Sequence, residues 1–316
     1  MRRRSEVDPV ALERCVRRAL PNCTSLQIDR TEEGVATLVY RVRCSDATYY
    51  LRVADTVDES FESEARAHAL LRERGVRVPE VVYLERRDED LERPVMMTTE
   101  IAGRDVRHAA NDRELSAVVR DAGRQLAILN SVAVEGFGWI RRGGSQHPQL
   151  TAPHPTYRSF VLEHLERDLT QLAAPGLLTT PEIARVREAL EAWRSDLDVD
   201  RAHLAHGDFD VTAVFADDGC FSGIIDLGEI RGAHELYDLG HFCVHDGEYV
   251  PTPLLPLLVE GYADVRPLST TSLASIQFHG LLIALHALAR SSDRSSDRYP
   301  KHLLTATRGC LSALSD

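Results

Sequence analysis

Lysine is all but missing from this chain. Lys301 is the only one among 37 basic residues, so any basic contact elsewhere has to be made by arginine, a planar bidentate donor rather than a point charge. Aromatic residues are sparse, at 6% of 316 residues. No stretch of sequence reaches the roughly 20 uninterrupted apolar residues of a membrane-spanning helix. No apolar segment of signal-peptide type follows Arg2, Arg3 and Arg4, and the sequence is read as cytoplasmic, with no membrane partner. The six cysteines (Cys15, Cys23, Cys44, Cys220, Cys243, Cys310) form no C-x-x-C pair. This excludes a zinc ribbon and a disulfide framework, and they read as small core residues of a reducing compartment. A formal charge of -12 argues against nucleic acid and for a neutral or cationic ligand.

The chain has the length and the 43% hydrophobic content to bury one large core or two modest ones. Asp8-Pro9 reads as an N-cap followed by proline in the first helical turn. Three β-rich runs come next: Ser25–Asp29, Val35–Arg43 and Ala47–Val53. The last two are joined as a hairpin at Ser45-Asp46. A helix is expected over Ser60–Arg74, then strands over Val81–Leu84 and Pro94–Thr98. After Gly103 helical periodicity takes over, in Arg113–Asn130, Tyr157–Leu172, Pro181–Leu197, Leu254–Tyr262, Leu268–Ala289 and Lys301–Ser312. The expectation is an α+β protein with a β-rich lobe over 1–102 and a mostly helical lobe over 103–316.

Chemistry concentrates in one non-helical window. His206-Gly207-Asp208 is followed by the apolar run Ala213–Ala216, the turn Asp217–Gly219, and a second strand ending in Ile225-Asp226-Leu227-Gly228. Asp208 and Asp226 thus stand at opposite ends of a short hairpin. One carboxylate can meet a hydroxyl proton while the other holds a cation against phosphate oxygens, and phosphoryl transfer rests mostly on such positioning. His241, Cys243, His245 and Asp246 invite a metal assignment, but residues at i, i+2 and i+4 do not share a helix face.

The run from His206 to Asp226 resembles the catalytic segment of the aminoglycoside phosphotransferase family, a branch of the protein-kinase-like fold. The resemblance takes in Glu235-Leu236-Tyr237-Asp238-Leu239, Gly136-Phe137-Gly138-Trp139 and Leu126-Ala127-Ile128-Leu129, with Asn130 where the family usually has His. It implies a two-lobe kinase-like fold, a nucleoside triphosphate (ATP or GTP) and Mg²⁺ as cofactors, and a small hydroxylated acceptor such as an aminoglycoside antibiotic. It also implies roles. Asp208, the carboxylate of the H-G-D motif, is the catalytic residue that accepts the hydroxyl proton or orients the hydroxyl, and Asp226 is the metal ligand. Arg52, on Tyr49–Val53, stands where the family contacts the α- and β-phosphates. Glu64 is favoured over Glu62 as its orienting acid. Gly34, in Glu33–Thr37, covers the phosphates, and Thr99 and Ile101, in Met97–Ile101, form the adenine-binding hinge.

The sequence departs from the family at one point of the metal site. Five residues past Asp208, where an Asn is expected to bind metal, stands Ala213, which has no side-chain oxygen for Mg²⁺. Three readings stay open: an oxygen relocated to Asp210, Thr212 or Glu229, a water in its place, or a nucleotide-binding pseudoenzyme. A kinase for a sugar, amino alcohol or nucleoside is the rival within the enzyme class. Glu166, Asp168, Asp246, Glu248 and Glu260 are candidates for an acidic acceptor pocket, each with the plainer reading of a surface charge.

Overall fold

The computed structural model describes residues 7–31, 37–45, 47–108, 112–142, 149–291 and 298–315. Gly34, expected to cover the phosphates, lies outside them. The chain forms two compact units, one of residues 1–102 with 141–150 and 223–225, the other of the remainder.

The first unit opens with α1 (Pro9–Ala19), whose Asp8 side chain caps the Val10 N–H as the Asp-Pro pair leads one to expect. Five strands follow: β1 (Leu26–Arg30), β2 (Leu38–Cys44), β3 (Ala47–Val53) and, after α2 (Glu62–Glu73), β4 (Val81–Glu85) and β5 (Val95–Thr99). They form one sheet in the order β1-β2-β3-β5-β4, antiparallel throughout. Alternate residues Leu38, Tyr40 and Val42 of β2 point into a core shared with Leu51, Val53, Val95, Met97 and the apolar face of α1. One reading needs correction here. Cys23 and Cys44 are disulfide-bonded, their Cα atoms 5.4 Å apart. No spacing motif announces this pair. The β1–β2 register sets Leu26 opposite Cys44 and so brings Cys23, three residues earlier, to the same end.

The second unit contains β6 (Arg104–Asp105), α3 (Asp112–Leu129), β7 (Ala133–Val134), β8 (Gly138–Trp139), α4 (Tyr157–Val161), α5 (Leu165–Ala173), α6 (Thr180–Ala192), α7 (Arg194–Leu197) and β9 (Ala202–Ala205). Then come β10 (Val214–Asp217), β11 (Cys220–Ile224, whose last two residues belong to the first unit), β12 (Arg231–Ala233), α8 (Tyr237–His245), α9 (Leu255–Ala263), α10 (Ser272–Ser291) and α11 (Arg298–Ala313). α10 is the central helix, packed by α8, α11 and α5. Among the described residues α10 alone is long and apolar enough to cross a membrane, yet 67% of its apolar window is buried inside the protein. Two small sheets, β7-β9-β12-β8 and β11-β10-β6, form the platform for the loop between β9 and β10. Two helices expected as continuous are broken. Tyr157–Leu172 divides at His164, and Pro181–Leu197 divides at Trp193.

Candidate active site

β9 pairs with β12, Ala205 opposite Arg231, and the chain leaves β9 through His206-Gly207-Asp208. Gly207 has φ +90°, and a Cβ there would lie 2.0 Å from the Glu229 carbonyl oxygen, so only glycine fits. The turn is tied down from below by Asp238 in the first turn of α8. Its fully buried carboxylate accepts the His206 N–H at 2.8 Å, the Gly207 N–H at 2.9 Å and the Asn130 side-chain amide at 2.8 Å. The same Asn130 nitrogen donates to the Leu204 carbonyl at 2.9 Å. Asn130, which departs from the family's His, thus does a structural job for which its amide suffices.

On this anchored turn the Asp208 side chain is 60% exposed. One oxygen, Oδ1, lies 3.2 Å from Nε2 of the buried His241, whose Nδ1 is 3.1 Å from the Phe209 carbonyl oxygen. The His241 hydrogen bond holds the Asp208 carboxyl well below the usual carboxylate range, against the opposing effect of burial. Burial disfavours the charged form of His241, but its hydrogen bond to Asp208 and the charge there outweigh this and raise its pKa. Both shifts describe one ion pair.

Two residues on, Asp210 turns back on the chain. Its Oδ1 accepts both the N–H and the hydroxyl of Thr212 at 2.6 Å, an Asx turn. Ala213 is buried, and its N–H bonds the Asp210 carbonyl oxygen at 3.2 Å. After β11, Asp226 adopts the left-handed conformation, φ 65° and ψ 63°. Its exposed carboxylate has no protein partner among the described residues. A non-glycine residue held there costs about 1–3 kcal/mol and tends to mark a functional position. Glu229 is engaged: its Oε2 accepts the Trp139 indole N–H at 2.8 Å and lies 3.5 Å from Arg231 Nη2.

Asp226, Glu229 and Asp210 are therefore not gathered into one cage. The groups of three ligand atoms within 4.8 Å among the described residues are Asp196–His234–His279 and His245–Glu248–His302, and they include none of these three. Mg²⁺ needs no protein cage, because it binds through one or two carboxylates together with phosphate oxygens and water. The free Asp226 carboxylate meets that requirement. Asp210 has given one oxygen to Thr212, and Glu229 is held by Trp139 and Arg231. In the Asp196 group, His234 Nδ1 accepts the Leu236 N–H at 3.1 Å, which leaves the proton of a neutral ring on Nε2. In the His245 group, His245 and His302 are already hydrogen-bonded to Glu248 and to the Val244 carbonyl oxygen.

In the first unit, β3 places Arg52 in an ion pair with the buried Glu64 of α2. The guanidinium also stacks over Phe61, 5.0 Å from the ring centre. Glu62 pairs instead with Arg86, Oε2 to Nη2 at 2.9 Å. Thr99 gives its N–H to the Glu80 carbonyl oxygen, and its hydroxyl accepts the Glu80 N–H, each at 2.9 Å, so that N–H has no hydrogen to offer a base. The main chain of Ile101 has no such partner among the described residues.

The five acids considered for an acceptor pocket are all engaged internally. Glu166 binds Arg187, Glu260 binds Arg120, Asp168 binds His286, Glu248 binds His245, and Asp246 caps the Leu254 and Leu255 N–H groups. They are not free to line an acidic pocket. What the sequence reading missed is the support beneath the loop. The sequence presents His241 only as a potential metal ligand and Tyr237-Asp238 only as part of a motif, with no local signal that either reaches the H-G-D turn.

An antiparallel sheet unit with a paired Arg and Glu and a helical unit carrying an anchored H-G-D loop are the parts of a protein-kinase-like phosphotransferase. The chain belongs to the phosphotransferase enzyme family, whose profile matches residues 28–268. No curated protein sequence matches it. Among solved structures it is similar to a thermostable variant of aminoglycoside phosphotransferase APH(4)-Ia in complex with ADP and hygromycin B. The two share 16% identity and a TM-score of 0.68, over 97% of this chain and 99% of that one. It is also similar to a candidate fructosamine-3-kinase from Thermobifida fusca, with 22% identity and a TM-score of 0.65 over 97% and 100% of the two chains. A candidate aminoglycoside phosphotransferase from Ralstonia eutropha gives 17% and 0.65 over 98% and 96%. At these identities the likeness speaks to the fold.

Proposed function

We propose that this phosphotransferase moves the γ-phosphoryl group of ATP or GTP to a hydroxyl of a small molecule such as an aminoglycoside antibiotic, and that it works in the cytoplasm. The observation that carries the reading is the Asp208 carboxylate, exposed on a turn that Asp238 ties down through two main-chain N–H groups. In this reading Asp208 orients the acceptor hydroxyl and takes its proton as the oxygen–phosphorus bond forms. The bond from the γ-phosphorus to the bridging oxygen breaks, and the nucleoside diphosphate leaves. Asp226 is the carboxylate that would hold Mg²⁺, which when bound neutralises phosphate charge. Arg52, kept extended by Glu64 and Phe61, is the phosphate contact of the first unit, and the main chain of Ile101 is the candidate base contact. The complexes of APH(4)-Ia with ADP and hygromycin B support a nucleotide and a hydroxylated acceptor as the pair to try first.

The test is a panel of aminoglycosides, ketosamines, amino alcohols and nucleosides, each incubated with ATP or GTP and Mg²⁺ and read by mass spectrometry. The expected result is the gain of one phosphoryl group by at least one acceptor with wild-type protein and by none with Asp208→Asn. Phosphorylation at an equal rate by Asp208→Asn overturns the assignment of Asp208.

A further inference from the structure

Elementary hydrogen counting at the H-G-D turn leads beyond the family's motifs. A carbonyl oxygen only accepts, so His241 Nδ1, 3.1 Å from the Phe209 oxygen, carries hydrogen. An ionised carboxylate also only accepts, so Nε2, 3.2 Å from Asp208 Oδ1, carries the second. The ring therefore bridges the main chain and the side chain of one turn. It is fixed on α8, the helix that also supplies Asp238. It is stacked on His245, ring centres 4.6 Å apart, and His245 is held in turn by Glu248 at 2.7 Å. Burial, together with the His241 charge, lowers the pKa of His245, partly offset by Glu248. The Asp208–His241 pair leaves the other oxygen of Asp208 without a partner among the described residues, on the exposed side, where a hydroxyl has to approach.

We propose that His241 is a positioning residue for phosphoryl transfer: it pins Oδ1 of Asp208 and so aims Oδ2 at the acceptor hydroxyl. The proposal rests on the phosphotransferase reading of Asp208 given above. The pin sets one rotamer of an exposed aspartate that would otherwise sample several. It also makes Asp208 a weak base. That suits a transition state in which charge lies on the phosphoryl oxygens and the acceptor is deprotonated late, so that aim matters more than basicity.

Two readouts test it. In steady-state kinetics with the acceptor found by the panel, His241→Ala lowers kcat by about a hundredfold, the scale of a misplaced reacting group, and leaves the nucleotide KM within about twofold. His241→Gln, which keeps one N–H toward Asp208, recovers most of that loss. Equal losses in Ala and Gln, or a loss confined to KM, overturn the proposal. The second readout is independent of turnover. In ¹⁵N-histidine-labelled protein at neutral pH, the His241 Nε2–H proton gives a slowly exchanging downfield signal, and Asp208→Ala abolishes it while circular dichroism is unchanged. A signal unaffected by Asp208→Ala, or missing from wild type, overturns the pin. A signal that depends on Asp208 in a protein that phosphorylates nothing on the panel upholds the contact and places the failure on the phosphotransferase reading.

Discussion

Asp238→Asn is the most informative perturbation of the scaffold beneath Asp208. The carboxylate is fully buried and accepts three hydrogen bonds of 2.8–2.9 Å. An asparagine has the same shape but only one accepting oxygen, and it turns an NH₂ toward donors. If its oxygen takes the Oδ2 place, it keeps the His206 N–H and the Asn130 amide, and the Gly207 N–H is orphaned. If it takes the Oδ1 place, it keeps the Gly207 N–H, and the His206 N–H and the Asn130 amide both lose their bond to it. Each buried donor left unpaired costs about 1–3 kcal/mol, and each bond to a charged acceptor that becomes neutral loses part of its strength. One or two orphaned donors then predict a loss of about 2–4 kcal/mol in urea unfolding. Turnover should fall further than stability requires, because the turn that carries Asp208 is released while the rest of the second unit stays folded. A variant within about 1 kcal/mol of wild type and with unchanged kcat would refute the anchor.

Three further outcomes follow from particular residues. Asp226→Gly relieves a left-handed conformation and removes a carboxylate with no protein partner, so stability should stay within about 1 kcal/mol while Mg²⁺-dependent nucleotide binding by calorimetry is lost. A large loss of stability would make Asp226 structural. The Arg308 hydrogen bond and the Thr179 main chain lower the Glu182 pKa from 4.5 to about 2. Its contribution is therefore complete above pH 4.5 and disappears as pH falls through about 2. The melting-temperature difference between wild type and Glu182→Gln should shrink steadily below pH 4.5, and a pH-independent difference contradicts the linkage. Titration of unfolded, unreduced protein with a thiol reagent should count four free cysteines, and the Cys23–Cys44 bridge should contribute about 3 kcal/mol to stability. Six reactive thiols would show the pair reduced.

Much of the catalytic turn could be read from sequence because its signals are local. Gly207 beside an aspartate, the hairpin turn at Asp218-Gly219, and the Asp-Pro start of α1 each follow from the conformational limits of single residues. The Arg52–Glu64 pair was accessible only through the resemblance of Tyr49–Val53 and the following helix to the family's pattern, and the structure pairs the two residues. The remainder depends on long-range contact. β7, β8 and β12 are two or three residues long, too short for any alternation to show. His241 and Asp238 do their work on a turn far back in the chain, and neither helical period nor composition names that partner. The acids from Glu166 to Glu260 looked available only because their arginine, histidine and main-chain partners are likewise distant.

The central claim is that this protein transfers a phosphoryl group to a small hydroxylated acceptor whose hydroxyl is oriented and deprotonated by Asp208 on this turn. Its most direct test is the acceptor panel with ATP and GTP, run in parallel on wild type and Asp208→Asn with nucleotide affinity measured for both. The account predicts that one acceptor gains a phosphoryl group with wild type, and that the Asp208→Asn rate is lower by at least about 10³-fold, on the scale of lost proton transfer and orientation, at unchanged nucleotide affinity. Phosphoryl transfer by Asp208→Asn at the wild-type rate would contradict it.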